Sequence, residues 1–188
     1  MYVALLDAAC LVPVVITDTL LRLAEQGLFR PIWSEKIIDE ARQALTIVHP
    51  ELPDVAIARR LRAMNDSFED AVVPTDAWLP LVEGLELPDP DDTHVVAAAI
   101  AGRAECIVTP NLKDFPDKLL ASHGIRAVSP DTFLLDQLDI WPARVIRVLH
   151  EQAAGTGRPP LSFYEILGRL SRAGTRSFAD EVLRRIDD

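Results

Sequence analysis

Short strand-like runs alternate with helix-like stretches along residues 1–140, the pattern of a parallel sheet covered by helices. Residues 2–6, Tyr-Val-Ala-Leu-Leu, show no polar alternation, as expected of a central strand buried on both faces. Further strands are predicted at 30–33, 71–73, 105–109 and 126–128, and helices at 17–26, 34–48, 54–68, 76–83, 92–101, 115–122 and 130–138. Gly27 is a natural helix stop and Ser34 a good N-cap. After Trp141-Pro142 only helices are predicted, at 143–154, 161–171 and 177–186. The expected organisation is an α/β body at 1–140 (a three-layer α/β/α sandwich) with a helical extension at 141–188.

Four carboxylates stand where strands hand over to helices or open them. Asp7 closes the run 2–6, Glu40 lies in the amphipathic stretch that begins at Ser34, Asp92 opens a nearly all-apolar helix beside Asp91, and Asp114 follows the run 106–109. In an open α/β sheet the strand ends converge on one crevice. Anions gathered there repel and raise each other's pKa unless a cation sits among them. An all-oxygen set favours Mg²⁺ or Mn²⁺ over zinc, and metal-assisted phosphodiester hydrolysis is the chemistry such a site suits.

Composition narrows the field. With 188 residues, 49% of them apolar, the chain can bury a real core. No apolar run approaches the length of a membrane span, and no signal-peptide pattern opens the chain, so the expectation is a cytoplasmic protein. Cys10 and Cys106 have neither metal-ligand nor redox spacing and read as buried thiols. The net charge of −10 argues against non-specific DNA binding. It is unevenly spread: 11 Lys+Arg face 23 Asp+Glu in 1–140, whereas 141–188 holds eight Arg against six acids. Such a tail suits an acidic surface, an RNA or a partner.

Four blocks, LLDAACLVP, WSEKIIDEARQAL, LPDPDDTHVVAAA and IVTPNLKDFP, resemble in order and spacing the PIN-domain ribonucleases, and more narrowly the VapC-type toxins of bacterial toxin–antitoxin pairs. The resemblance covers roughly residues 1–140. It implies a parallel sheet with a four-acid site for Mg²⁺ or Mn²⁺, an RNA substrate, a homodimer and a small antitoxin partner. Carried over, it makes Asp7, Glu40 and Asp92 the metal-site acids, with Asp7 and Asp92 holding the first ion. Where the family often places a fourth acid, this chain has Asn111, so Asp114 is the expected substitute and Asp91 a second candidate.

Each signal also has a plainer reading. Asp7 can cap the following helix, and Asp89, Asp91 and Asp92 can serve as N-terminal charges, with Asp89 the first choice for that role. Asp39 confuses the choice of Glu40, yet Ile37, Ala41 and Ala44 mark the buried stripe, which leaves Asp39 pointing outward. The Thr109 hydroxyl can bind a phosphate or satisfy a backbone group. His94, on an apolar helix, reads as a packed core residue. The stretch 54–68 has an apolar stripe on which a partner helix could dock. Two rival functions remain: a phosphotransferase using Asp7 as nucleophile, which Ala9 disfavours because such sites place an acid there, and an inactive PIN-like module that only binds RNA or protein.

Overall fold

The computed structural model describes residues 2–187 and resolves into two compact units, 2–12 with 30–128, and 13–29 with 129–187. The first contains all the strands: β1 (Val3–Leu6), β2 (Arg30–Ser34), β3 (Val72–Val73), β4 (Cys106–Val108) and β5 (Arg126–Val128). They form one sheet of order β3-β2-β1-β4-β5, parallel throughout. Every residue of β1 and β4 is buried, as central strands covered on both faces require.

In chain order the helices of this unit are α1 (Ala8–Leu11), then, after a helix of the other unit, α3 (Glu35–Val48), α4 (Asp54–Ser67), α5 (Thr75–Trp78), α6 (Thr93–Ala101) and α7 (Asp117–Ser122); that intervening helix is α2 (Val14–Glu25). Ser34 caps α3 by accepting from the Ile37 N–H, as its position predicted. The apolar stripe of α4, Ile57, Leu61 and Met64, is buried within the unit, so it is not the open docking groove expected of 54–68. Trp33 at the end of β2 ties α4 down, donating from Nε1 to Asn65 Oδ1 at 2.8 Å. Helix α6 lies against β1, β2 and β4. Its close approach needs Gly102, because a Cβ there would collide with Ile32 Cδ1 and come within 2.9 Å of Val73 Cγ2.

Three predicted helices differ: the one expected at 17–26 starts earlier, at Val14 behind Pro13. The helix expected at 115–122 begins only at Asp117, since Pro116 forces Phe115 into an extended conformation (φ −118°, ψ 80°) after a 3-10 turn at Leu112–Asp114. The helix expected at 76–83 is α5 followed by a 3-10 segment, Leu79–Gly84.

The second unit is all helical: α2, α8 (Pro130–Ile140), α9 (Pro142–Ala154), α10 (Phe163–Arg172) and α11 (Arg176–Asp187). Phe29 and Phe133 meet edge to face at 4.9 Å, and Phe178, Leu149, Leu170 and Val182 are fully buried. The Thr19 hydroxyl donates to Gln152 Oε1 at 2.8 Å, joining α2 to α9 inside that core. Ser162 and Glu165 form a full capping box at the start of α10. By packing, the compact units divide at Ser129. Helix α8 shares its apolar face with α9 and α11, and α2 shares its own with α9 and α10, so both belong with the helices that follow. Among the described residues no helix is long and apolar enough to cross a membrane.

Candidate active site

The strand order reverses between β1 and β4, with β2 and β3 on one side and β5 on the other. At such a switch point the loops leaving neighbouring strands diverge and open a crevice at the carboxyl ends. Asp7 is the residue that leaves β1 there. Its backbone N–H still donates to Val108 O (3.1 Å), while its side chain turns to cap α1. Oδ1 accepts from the Ala8 N–H and Oδ2 from the Thr109 hydroxyl, each at 2.7 Å. Asp7 is therefore both cap and site candidate; the plainer reading and the chemical one share the same atoms.

With 8% of its surface exposed, Asp7 is held above the usual carboxylate range by burial, and the charge of Glu40 adds to the shift. The Thr109 and Ala8 hydrogen bonds and nearby His94 oppose it without cancelling it. Asp92, half-buried at the head of α6, is pushed up to about 6, first by desolvation and then by Asp7, Asp89 and Asp114. Asp92 thus feels both Asp7 and Asp114, and Glu40 joins them through Asp7.

Thr109 is wholly buried, so its hydroxyl contacts no phosphate as it stands. It donates to Asp7 and accepts from the Asn111 N–H at 3.1 Å. The Asn111 side-chain amide in turn donates to Asp114 Oδ2. A continuous chain of hydrogen bonds therefore runs Asp7–Thr109–Asn111–Asp114, and Asn111 orients the acid expected to replace it. Asp91 is exposed, and Asp89 does the capping, accepting from the Asp91 N–H at 2.9 Å.

Glu40 projects from α3 with about a third of its side chain exposed, whereas Asp39 faces solvent. Its Oε1 lies 3.8 Å from Lys36 Nζ and 2.8 Å from Nε2 of His94. That last contact was invisible to helix periodicity, because the partners sit on different helices; the one available signal was a lone histidine in an apolar helix.

Among the described residues no three His, Cys, Asp or Glu side chains already surround a point from which they could hold a metal ion. The donor chemistry nevertheless fits a hard divalent cation: Asp7, Asp92, Asp114 and Glu40 offer carboxylate oxygens only, and Asp7 and Asp92 are raised first by burial and then by neighbouring acids.

Residues 3–113 match the model of a PIN domain, more than half of the chain. The chain belongs to the PIN-domain family. Residues 130–184 match a second model, described as the VapC50 C-terminal domain, so the helical unit has a family match of its own. A curated relative from Mycobacterium tuberculosis (strain ATCC 25618 / H37Rv), named "Putative ribonuclease VapC50", is 44% identical over 79 residues, which are 42% of this chain and 47% of the relative. The match spans about half the length of that relative. No solved structure matches the chain. Asp7, Glu40, Asp91, Asp92, Thr109 and Asn111 all fall inside the PIN match, and Asp114 lies just past its end.

Proposed function

We propose that this PIN-domain protein is a Mg²⁺- or Mn²⁺-dependent endoribonuclease, the toxin of a toxin–antitoxin pair, acting in the cytoplasm. The observation that carries the reading is the set of acids at the β1/β4 switch point, with burial and mutual repulsion raising the pKa of Asp7 and Asp92. Asp7 and Asp92 would hold the first ion, with Asp114 beside them and Glu40 available to a second. When bound, a divalent cation supplies Lewis acidity to a phosphodiester and acidifies water. The chain's own residues do the rest. Thr109 and the Ala8 N–H fix the Asp7 carboxylate, so it need not be ordered when a ligand arrives. Asn111 fixes Asp114 in the same way.

The toxin reading has its own support. Around the turn from α3 to α4, Ile47, Val48, Leu52 and Val55 are exposed, an apolar surface suited to an antitoxin helix. A partner arginine entering the acid cluster would exclude metal and substrate together. Homodimer formation belongs to the same proposal.

An inactive binding module is the second reading, and the lack of a ready-made three-ligand arrangement among the described residues favours it. One assay separates the two. Purified chain is incubated with a structured RNA in Mn²⁺, in Mg²⁺ and in EDTA, and with Asp7→Asn as control. Cleavage that needs the ion and Asp7 supports the nuclease. RNA retention without cleavage in either ion points to the binding module.

A further inference from the structure

Helix α6 is apolar after its first two residues, Thr93 and His94. The ring is 3% exposed and lies beside Trp78, centroids 6.1 Å apart. Neither ring nitrogen completes an aligned hydrogen bond. A buried imidazole with unsatisfied nitrogens costs more than an aliphatic side chain of similar size in the same place. Packing alone therefore does not account for a histidine here.

What the ring reaches is Glu40. Nε2 stands 2.8 Å from Oε1, within hydrogen-bond distance, although the pair does not meet hydrogen-bond alignment as placed. Lys36 approaches the same oxygen only to 3.8 Å from a side chain that is nearly half exposed, and holds it loosely. A glutamate has three rotatable bonds to order before it can serve as a ligand. A rigid donor on a buried helix removes that freedom in advance.

We propose that His94 is the positioning residue for Glu40, donating from Nε2 to Oε1 and keeping that carboxylate turned into the acid cluster. The role rests on the cation-site reading above. His94 itself touches neither ion nor RNA in this account; it acts through Glu40.

The test is Mn²⁺ binding by calorimetry for wild type, His94→Leu and His94→Gln, each repeated with Glu40→Gln, with Asp7→Asn as control. His94→Leu is expected to weaken Mn²⁺ roughly 10- to 100-fold, the usual cost of losing a group that orients a ligand. His94→Gln keeps an N–H donor and should recover most of that loss. In the Glu40→Gln background neither His94 change should have a further effect, because the group it positions is gone. Melting in EDTA should show His94→Leu at least as stable as wild type. Equal losses for Leu and Gln, or the same loss with and without Glu40, would overturn the proposal. Asp7→Asn keeps the two claims apart: if it abolishes binding while the His94 variants bind normally, only the positioning role fails. If it leaves binding unchanged, the cation-site reading fails first.

Discussion

Asp92 in the strand-bearing unit and Glu181 in the helical unit are both carboxylic acids, driven in opposite directions. Asp92 is pushed up to about 6 by desolvation and by three neighbouring acids. Glu181 is pulled down to about 2 because it accepts hydrogen bonds from Arg184 and Arg185, the latter at 2.7 Å from Nε. Other acids of the helical unit also lie beside arginines: Asp18 pairs with Arg22, Glu151 with Arg147 and Asp180 with Arg176, while Arg185 also binds Asp139 and the Leu138 carbonyl. Acids answered by arginines on neighbouring helical turns stabilise helices. Buried acids with like-charged neighbours lack such partners, and that contrast is what supports the proposed cation site.

The substitution expected to separate the two units most sharply is Asp7→Asn. RNA cleavage should fall below detection while the fold is kept, since the Thr109 hydroxyl can rotate to accept from an amide where it now donates to a carboxylate. Melting temperature in EDTA should stay equal or rise as repulsion is relieved, while the rise produced by Mn²⁺ shrinks. A drop in metal-free stability would class Asp7 with the paired acids.

Thr109→Val comes next. It strands Asp7 Oδ2 and the Asn111 N–H inside the protein at once, which should cost about 1–3 kcal/mol in chemical denaturation. Cleavage should fall too, though less than for Asp7→Asn, because the charge remains but its orientation is lost. A silent change would dissolve the Asp7–Thr109–Asn111–Asp114 chain as a device.

The opposite shifts make a pH experiment informative. An acid whose pKa is higher in the folded than in the unfolded state holds its proton more tightly when folded. The contribution of Asp92 to stability is thus complete below its ordinary value of 3.8 and is lost as pH rises through about 6. Melting of wild type in EDTA should therefore decline from pH 5 to pH 7.5, and Asp92→Asn should flatten the decline. With Mn²⁺ present the trend should reverse, since the ion competes with the proton. An unchanged slope in Asp92→Asn would show that its shift is not coupled to folding.

Much of this was legible in the chain, and the exceptions share a cause. β1 announced itself by a run with no polar alternation, and the Ser34 and Asp89 caps stood where short oxygen-bearing side chains precede helices. These are local signals. The single turn α1 is too short to show a period. The contact between His94 and Glu40 joins two helices remote in sequence, and the membership of α8 in the helical unit depends on faces that meet only after folding. The acids could be named from their places at strand ends; that Thr109 is buried and holds Asp7 could not, because a threonine ending a strand looks the same whether its hydroxyl meets solvent or a carboxylate.

The smallest effect is expected at the paired acid. Glu181→Gln should lower the melting temperature slightly, by weakening its pairing with Arg184 and Arg185 within α11, and should leave Mn²⁺ stabilisation and RNA cleavage at wild-type levels. A loss of metal binding there would mean that the helical unit takes part in the site.

The account stands most directly on one titration: Mn²⁺ into the metal-free wild-type chain at pH 7.5, followed by calorimetry beside Asp7→Asn. Saturable binding by the wild type, with fewer ions or much weaker affinity in the variant, is the predicted result. A folded wild-type chain that takes up no Mn²⁺, or a variant that takes it up equally well, would contradict the claim that the raised acids at the strand ends form a cation site.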